Sequence, residues 1–140
     1  MSKFIKFIAF VIVAVLNLTF TSCGGDDGNS APSWIIGEWQ ECDKEGNLYD
    51  DATNNEVFHM TINHNGTGRF WTVTKGELDA WYAFSYTVSF NGTSGTITQT
   101  VTDASNEKRI GKTFVEQFTY ENGLLHGGDG EDIYYKKVSN

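Results

Sequence analysis

The stretch "WYAFSYTVSF", residues 81–90, alternates from end to end. Tyr82, Phe84, Tyr86, Val88 and Phe90 share one face; Ala83, Ser85, Thr87 and Ser89 share the other. Successive strand side chains point to opposite faces, so this period of two predicts a β-strand with one buried side. "NEVFHMTI", 55–62, repeats the pattern, with Phe58, Met60 and Ile62 opposite Val57, His59 and Thr61. "KTFVEQFTY", 112–120, puts Phe114, Phe118 and Tyr120 on one face, interrupted there by Glu116. "TSGTITQTVT", 93–102, is rich in β-branched residues with Thr at every second position, which suits a half-exposed strand. With "IIGEWQEC", "LLHG" and "DIYYKKV", the pattern predicts eight strands, at about 35–42, 56–64, 67–75, 80–90, 94–102, 111–120, 123–126 and 131–138.

Between these runs stand Asn65-Gly66, Asn91-Gly92 and Asn122-Gly123. Asn-Gly is the preferred pair for a tight hairpin, whose two central residues both need positive φ. Short turns join neighbouring strands, so the chain reads as an antiparallel meander. Closing the meander into a barrel removes its two exposed edges. The single proline, Pro32, precedes the first strand and leaves the ladders uninterrupted. The predicted fold class is all-β, a small antiparallel up-and-down barrel of about eight strands. The acidic segment 43–55 lacks strand pattern and reads as a long loop at the barrel mouth, with at most one helical turn.

The N-terminus follows a different rule. Lys3 and Lys6 precede an apolar run from Phe7 to Leu16, followed by Thr19, Thr21, Ser22 and Cys23. A basic start, a short apolar core and small residues make a secretory signal peptide. The run is shorter than the roughly 20 apolar residues a membrane span needs, and Asn17 and Thr19 interrupt it. "GGDDGNSAPS", 24–33, reads as a flexible, solvated tether. Three regions follow: 1–22 as signal, 23–33 as Cys23 and linker, 34–140 as the barrel domain.

"FTSC", 20–23, resembles a bacterial lipoprotein box, with Phe20 where Leu is usual. The resemblance implies that Cys23 becomes the lipidated N-terminus and anchors the protein in the cell envelope, on the outer membrane. Asp26 and Asp27 just after it also resemble the surface-export tags of some bacterial lipoproteins, or serve only to keep the tether solvated. The alternative for Cys23 is a disulfide with Cys42. With the lipid in place, Cys42 is unpaired and reads as a small buried apolar residue. Removing the signal also removes Lys3 and Lys6, leaving 8 basic against 18 acidic residues, a net charge of −10. That balance argues against nucleic acid and against electrostatic attachment to an anionic membrane.

"IIGEWQ" resembles the Gly-x-Trp opening of lipocalins, here Gly37 and Trp39, and the whole of 34–140 is similar to the short lipocalin-like domains of bacterial lipoproteins. The resemblance implies that Trp39 packs across the closed end of the barrel and that Gly37 lets the chain turn in close. This chain departs from the family where an arginine usually stacks on the Trp: Lys136 and Lys137 stand in that region. It also lacks the Thr-Asp-Tyr element and has no room for a C-terminal helix.

Phe58, Met60, Tyr82, Phe84, Tyr86, Phe114 and Phe118 are the candidate inward residues. They line either a cup for a hydrophobic or aromatic small molecule or an ordinary packed core. The first reading makes the protein a binding module. The alternative is a non-catalytic structural or interaction protein with a filled barrel. No catalytic motif, cofactor or metal site is expected. His59 and His64 are an odd number of positions apart and face opposite sides of a strand. The acidic turns around Asp129, Glu131 and Asp132 lack calcium-loop spacing. "GKT", 111–113, lacks the earlier glycine of a phosphate loop.

Overall fold

The computed structural model describes residues 31–127 and 132–140. The expected signal peptide, Cys23, the first part of the linker, Asp129 and Glu131 lie outside the described residues. The rest is a closed antiparallel barrel of eight strands in sequence order. These are β1 (Gly37–Cys42), β2 (Val57–Ile62), β3 (Thr67–Thr74), β4 (Glu77–Asn91), β5 (Ser94–Ala104), β6 (Thr113–Glu121), β7 (Leu124–Gly127) and β8 (Ile133–Ser139). Closure comes from β8 returning to β1, with Gln40 opposite Lys136 and Glu41 opposite Tyr135.

Each predicted strand has a counterpart, but boundaries move. Residues Ser33–Ile35 form a 3-10 turn, with Ile35 N–H donating to Pro32 O at 3.0 Å, so β1 starts at Gly37. β4 begins earlier than its alternation does. The two-residue turn Lys75-Gly76, with φ of 50° and 84°, sets Thr74 opposite Glu77, and ladder pairing continues where side-chain pattern lapses. Of the three Asn-Gly pairs, only Asn122-Gly123 has both residues at positive φ. At Asn65-Gly66 the glycine alone is positive, inside a three-residue loop closed by Asn63 N–H donating to Thr67 O at 2.8 Å. Asn91 stays in β4, paired with Ser94, and leaves Gly92 and Thr93 to turn the chain.

Strand parity gives the barrel two unlike ends. The base holds the chain entry at residue 31, the β2–β3, β4–β5 and β6–β7 hairpins and the end of β8. The other end carries the β1–β2, β3–β4, β5–β6 and β7–β8 connections. Trp39 is wholly buried at the base, where its Nε1–H donates to Ile35 O at 3.0 Å. Trp34 stacks on Tyr120 with ring centres 4.5 Å apart and meets Phe90 edge-on at 5.4 Å. Lys137 Nζ lies 5.3 Å from the Trp39 ring centre, within cation–π range. A side chain at Gly37 would put a Cβ 2.6 Å from Ser139 O, at a φ of 141°. Only glycine lets β1 cross the end of β8 this closely.

The segment 43–55 holds the single helical turn allowed for it: Thr53 N–H and Asn54 N–H both donate to Asp50 O, at 3.3 Å and 3.1 Å. It joins β1 to β2 at the end opposite the base and bonds to outward-facing residues of both strands. Asp43 Oδ1 accepts from the Glu45 and Asn47 amides, and those bonds hold its carboxyl below the usual range. The chain then follows outward-facing residues: Gln40 Nε2 donates to Tyr49 O at 2.9 Å, and His59 Nε2 sits 2.9 Å from Asp51 Oδ1. Lys75 N–H and Gly76 N–H donate to Asn54 O and Asp51 O. Val57 and His59, on the solvent face of β2 by periodicity, are buried beneath this cover.

Candidate functional site

Alternation aims one face of every strand inward. All seven candidate residues, Phe58, Met60, Tyr82, Phe84, Tyr86, Phe114 and Phe118, lie on that face, and none is more than 4% exposed. Their rings touch one another. Phe70 links Phe58 (5.2 Å) to Tyr82 (5.4 Å), and Tyr82 meets Phe84 at 5.8 Å and Phe114 at 5.6 Å. Phe118 meets Tyr135 at 6.3 Å, mostly edge-to-face. Such contacts are the geometry of a dense aromatic core.

Besides Thr72 of β3, polar groups enter this core from five other strands. Glu41 (β1), Tyr82 (β4), Gln99 (β5), Glu116 (β6) and Tyr135 (β8) all face inward and are buried. Glu116 was visible in the sequence as a break in an apolar face. Glu41, Gln99 and Tyr135 were not singled out, although Glu41 shares the inward face of β1 with Trp39 and Gln99 shares that of β5 with Ile97 and Val101. An alternation count that asks only for apolar residues overlooks them.

Each has a local reason to be inside. The β1–β2 ladder stops at Gln40–His59, and Glu41 Oε1 accepts the next β2 amide, Phe58 N–H, at 3.0 Å. A carboxylate thus replaces a missing strand carbonyl where β1 leaves its partner. The Tyr82 hydroxyl donates to Gln99 Oε1 at 2.9 Å. That bond fixes the amide's orientation and turns Gln99 Nε2 the other way. Among the described residues, Gln99 Nε2 and the Tyr135 hydroxyl have no hydrogen-bond partner. Leaving a buried donor unpaired costs about 1–3 kcal/mol, so two of them in one core need an explanation.

Electrostatics ties the group together. Burial pushes the Tyr135 hydroxyl well above the ordinary tyrosine range, and Glu41, Glu116 and Tyr82 push it the same way. Tyr82 is raised by burial and by Glu116, while Arg109, at the end of a 3-10 turn (Glu107–Arg109) in the β5–β6 connection, lowers it. Arg109 in turn is lowered by its own burial. The layer is therefore rich in acceptors and neutral donors, with one cation reaching toward it from the loop end.

Three other features lie elsewhere. Cys42 is buried and carries no disulfide among the described residues; burial pushes its thiol up to about 11, the state of an unreactive packing residue. On the outer wall, His59 stacks on Trp71 at 5.1 Å, and the Arg69 guanidinium lies 5.7 Å and 5.1 Å from the rings of Trp71 and Trp81. His64 is exposed in its turn, away from His59. Among the described residues, no group of three or more His, Cys, Asp or Glu side chains is arranged to hold a metal ion. In comparisons with known proteins, no protein-family model, no curated protein and no solved structure matches the chain.

Proposed function

We propose that the protein is a non-catalytic binding module of the bacterial cell envelope: a lipocalin-like domain held at the outer membrane by a lipid on Cys23. The reading of the anchor rests on the signal-like N-terminus and the "FTSC" box. The lipocalin-like reading rests on Gly37 and Trp39 at the base of a closed eight-strand barrel. Residue 31 enters at the base, so the tether leaves from the end opposite the long connections. The observation that carries the binding reading is the buried polar layer, with two unpartnered polar atoms set among aromatic rings. A barrel evolved only to be filled gains nothing from such groups, because burial without a partner is destabilising.

The ligand is a small, mainly hydrophobic or aromatic molecule. Titration of the four tryptophans with a library of such compounds, read by fluorescence, tests the module: a saturable response in at least one class is expected. A second reading has its own support. The near-zero exposure of the inner rings favours a filled barrel that acts as a structural or interaction protein through its outer surface. No response across the whole library, with unchanged melting temperature, would select that reading.

A further inference from the structure

The polar layer does more than fill space. We propose that Gln99 and Tyr135 form the head-group subsite of the barrel, and that it takes a small aromatic molecule bearing one neutral head with a hydrogen-bond acceptor beside a donor, of the carboxamide type. The inference rests on the binding-module reading and specifies its ligand.

The chemistry follows from the atoms. Gln99 Oε1 is occupied by the Tyr82 hydroxyl, which leaves Nε2 as a donor with no partner. The Tyr135 hydroxyl is a second unpartnered group that can donate. Both side chains are 1% exposed. Each can donate to a ligand carbonyl. Beside these donors stand buried carboxylates: Glu41 lies directly across the β1–β8 ladder from Tyr135, and Glu116 faces inward from β6. Carboxylates accept the N–H that a carboxamide carries next to its carbonyl. An anionic head is disfavoured, since burying a further charge in a low-dielectric core beside these carboxyl groups is costly. An entirely apolar ligand would leave both donors unpaired, at the same cost as the empty layer. The rest of the molecule meets rings already at the layer, since Phe114 touches Tyr82 and Phe118 touches Tyr135.

The test uses benzamide, with benzoate and toluene as controls, on the folded mature domain. The readouts are the Gln99 side-chain amide signals in ¹⁵N-resolved NMR and tryptophan fluorescence. Benzamide is expected to shift the Gln99 Nε2 signals saturably, benzoate to leave them unmoved, and toluene to bind more weakly than benzamide. Tyr135→Phe and Gln99→Leu are each expected to weaken benzamide by roughly three- to tenfold, the loss of one neutral hydrogen bond. Tyr135→Phe should melt no lower than the parent, since it deletes a group that stabilises nothing in the free protein. Toluene binding with benzamide silent would overturn the head-group subsite and leave the binding module standing. Benzamide binding undiminished in both variants would overturn the assignment of these residues. Silence of all three probes, alongside a library that does bind, would also overturn the subsite. Silence of the library as well would take the binding module with it.

Discussion

The Tyr82 hydroxyl and Gln99 Oε1 meet at 2.9 Å inside the barrel, a bond between side chains of β4 and β5 that are both almost wholly buried. Its loss strands an acceptor where no solvent reaches. Tyr82→Phe is therefore expected to destabilise the domain by about 1–3 kcal/mol. The double variant Tyr82→Phe with Gln99→Leu should recover part of that loss, since it removes the stranded group. Urea unfolding of the two single variants and the double measures the coupling; strict additivity would mean the bond contributes nothing of its own.

The same burial sets an alkaline limit. Tyr82 and Tyr135 have folded pKa values raised well above the ordinary one, chiefly by burial. A raised folded value means the unfolded chain loses these protons first. Ionisation of these groups therefore leaves stability untouched below the unfolded value of about 10 and lowers it as pH rises beyond that. Tyrosinate absorbance should show these two hydroxyls ionising only together with unfolding. Tyr135→Phe should flatten the alkaline fall in stability, while the profile below the unfolded value keeps its shape.

Trp39 closes the base through burial, a hydrogen bond to Ile35 O and the Lys137 ammonium over its ring. Trp39→Ala is expected to cost roughly 3–5 kcal/mol, the range for deleting a large core ring. Lys137→Ala should cost far less, about 0.5–1 kcal/mol, and Lys137→Arg should retain the contact. Thermal unfolding of the three variants ranks them. An equal cost for Trp39→Ala and Lys137→Ala would contradict the plug.

His59 and Asp51 pin the 43–55 segment to the outer wall at 2.9 Å. Asp51 is partly exposed, so Asp51→Ala should cost only about 0.5–1 kcal/mol. The local effect should be larger than the global one. The Lys75 and Gly76 amides, which donate to Asn54 O and Asp51 O, should exchange with solvent faster while β5 and β6 amides stay protected. Unchanged exchange at those two amides would mean the strap is held by something else.

For the proposed anchor, Cys23→Ser is expected to move the protein from the membrane fraction to the soluble fraction. Fractionation after expression in a bacterial host that processes lipoproteins, with radiolabelled fatty acid as a second readout, decides the matter independently of any ligand.

The strands were legible because two constraints agree in them. Backbone pairing demands extended residues, and burial of one face demands alternation, so "WYAFSYTVSF" announces both its structure and its inward side. Meander order and closure followed from short turns and the cost of open edges. The seven inward residues were legible for the same reason. Glu116 stood out only as an exception to the rule.

What tertiary structure alone decided lies where a residue's environment comes from chain far away in sequence. Alternation gave His59 to solvent, but a segment folding back over β2 buried it. Three identical Asn-Gly pairs became different turns, because register in the adjoining strands, not the dipeptide, chose which residues turn. The polar layer is the clearest case. Glu41, Gln99 and Tyr135 sit on separate strands in an order no local pattern records, and closure of β8 onto β1 sets Glu41 beside Tyr135. Sequence determined which faces turn inward, since side-chain period is a property of the backbone. Only barrel closure decided which polar groups share the interior, since that depends on how the strands are registered around the ring.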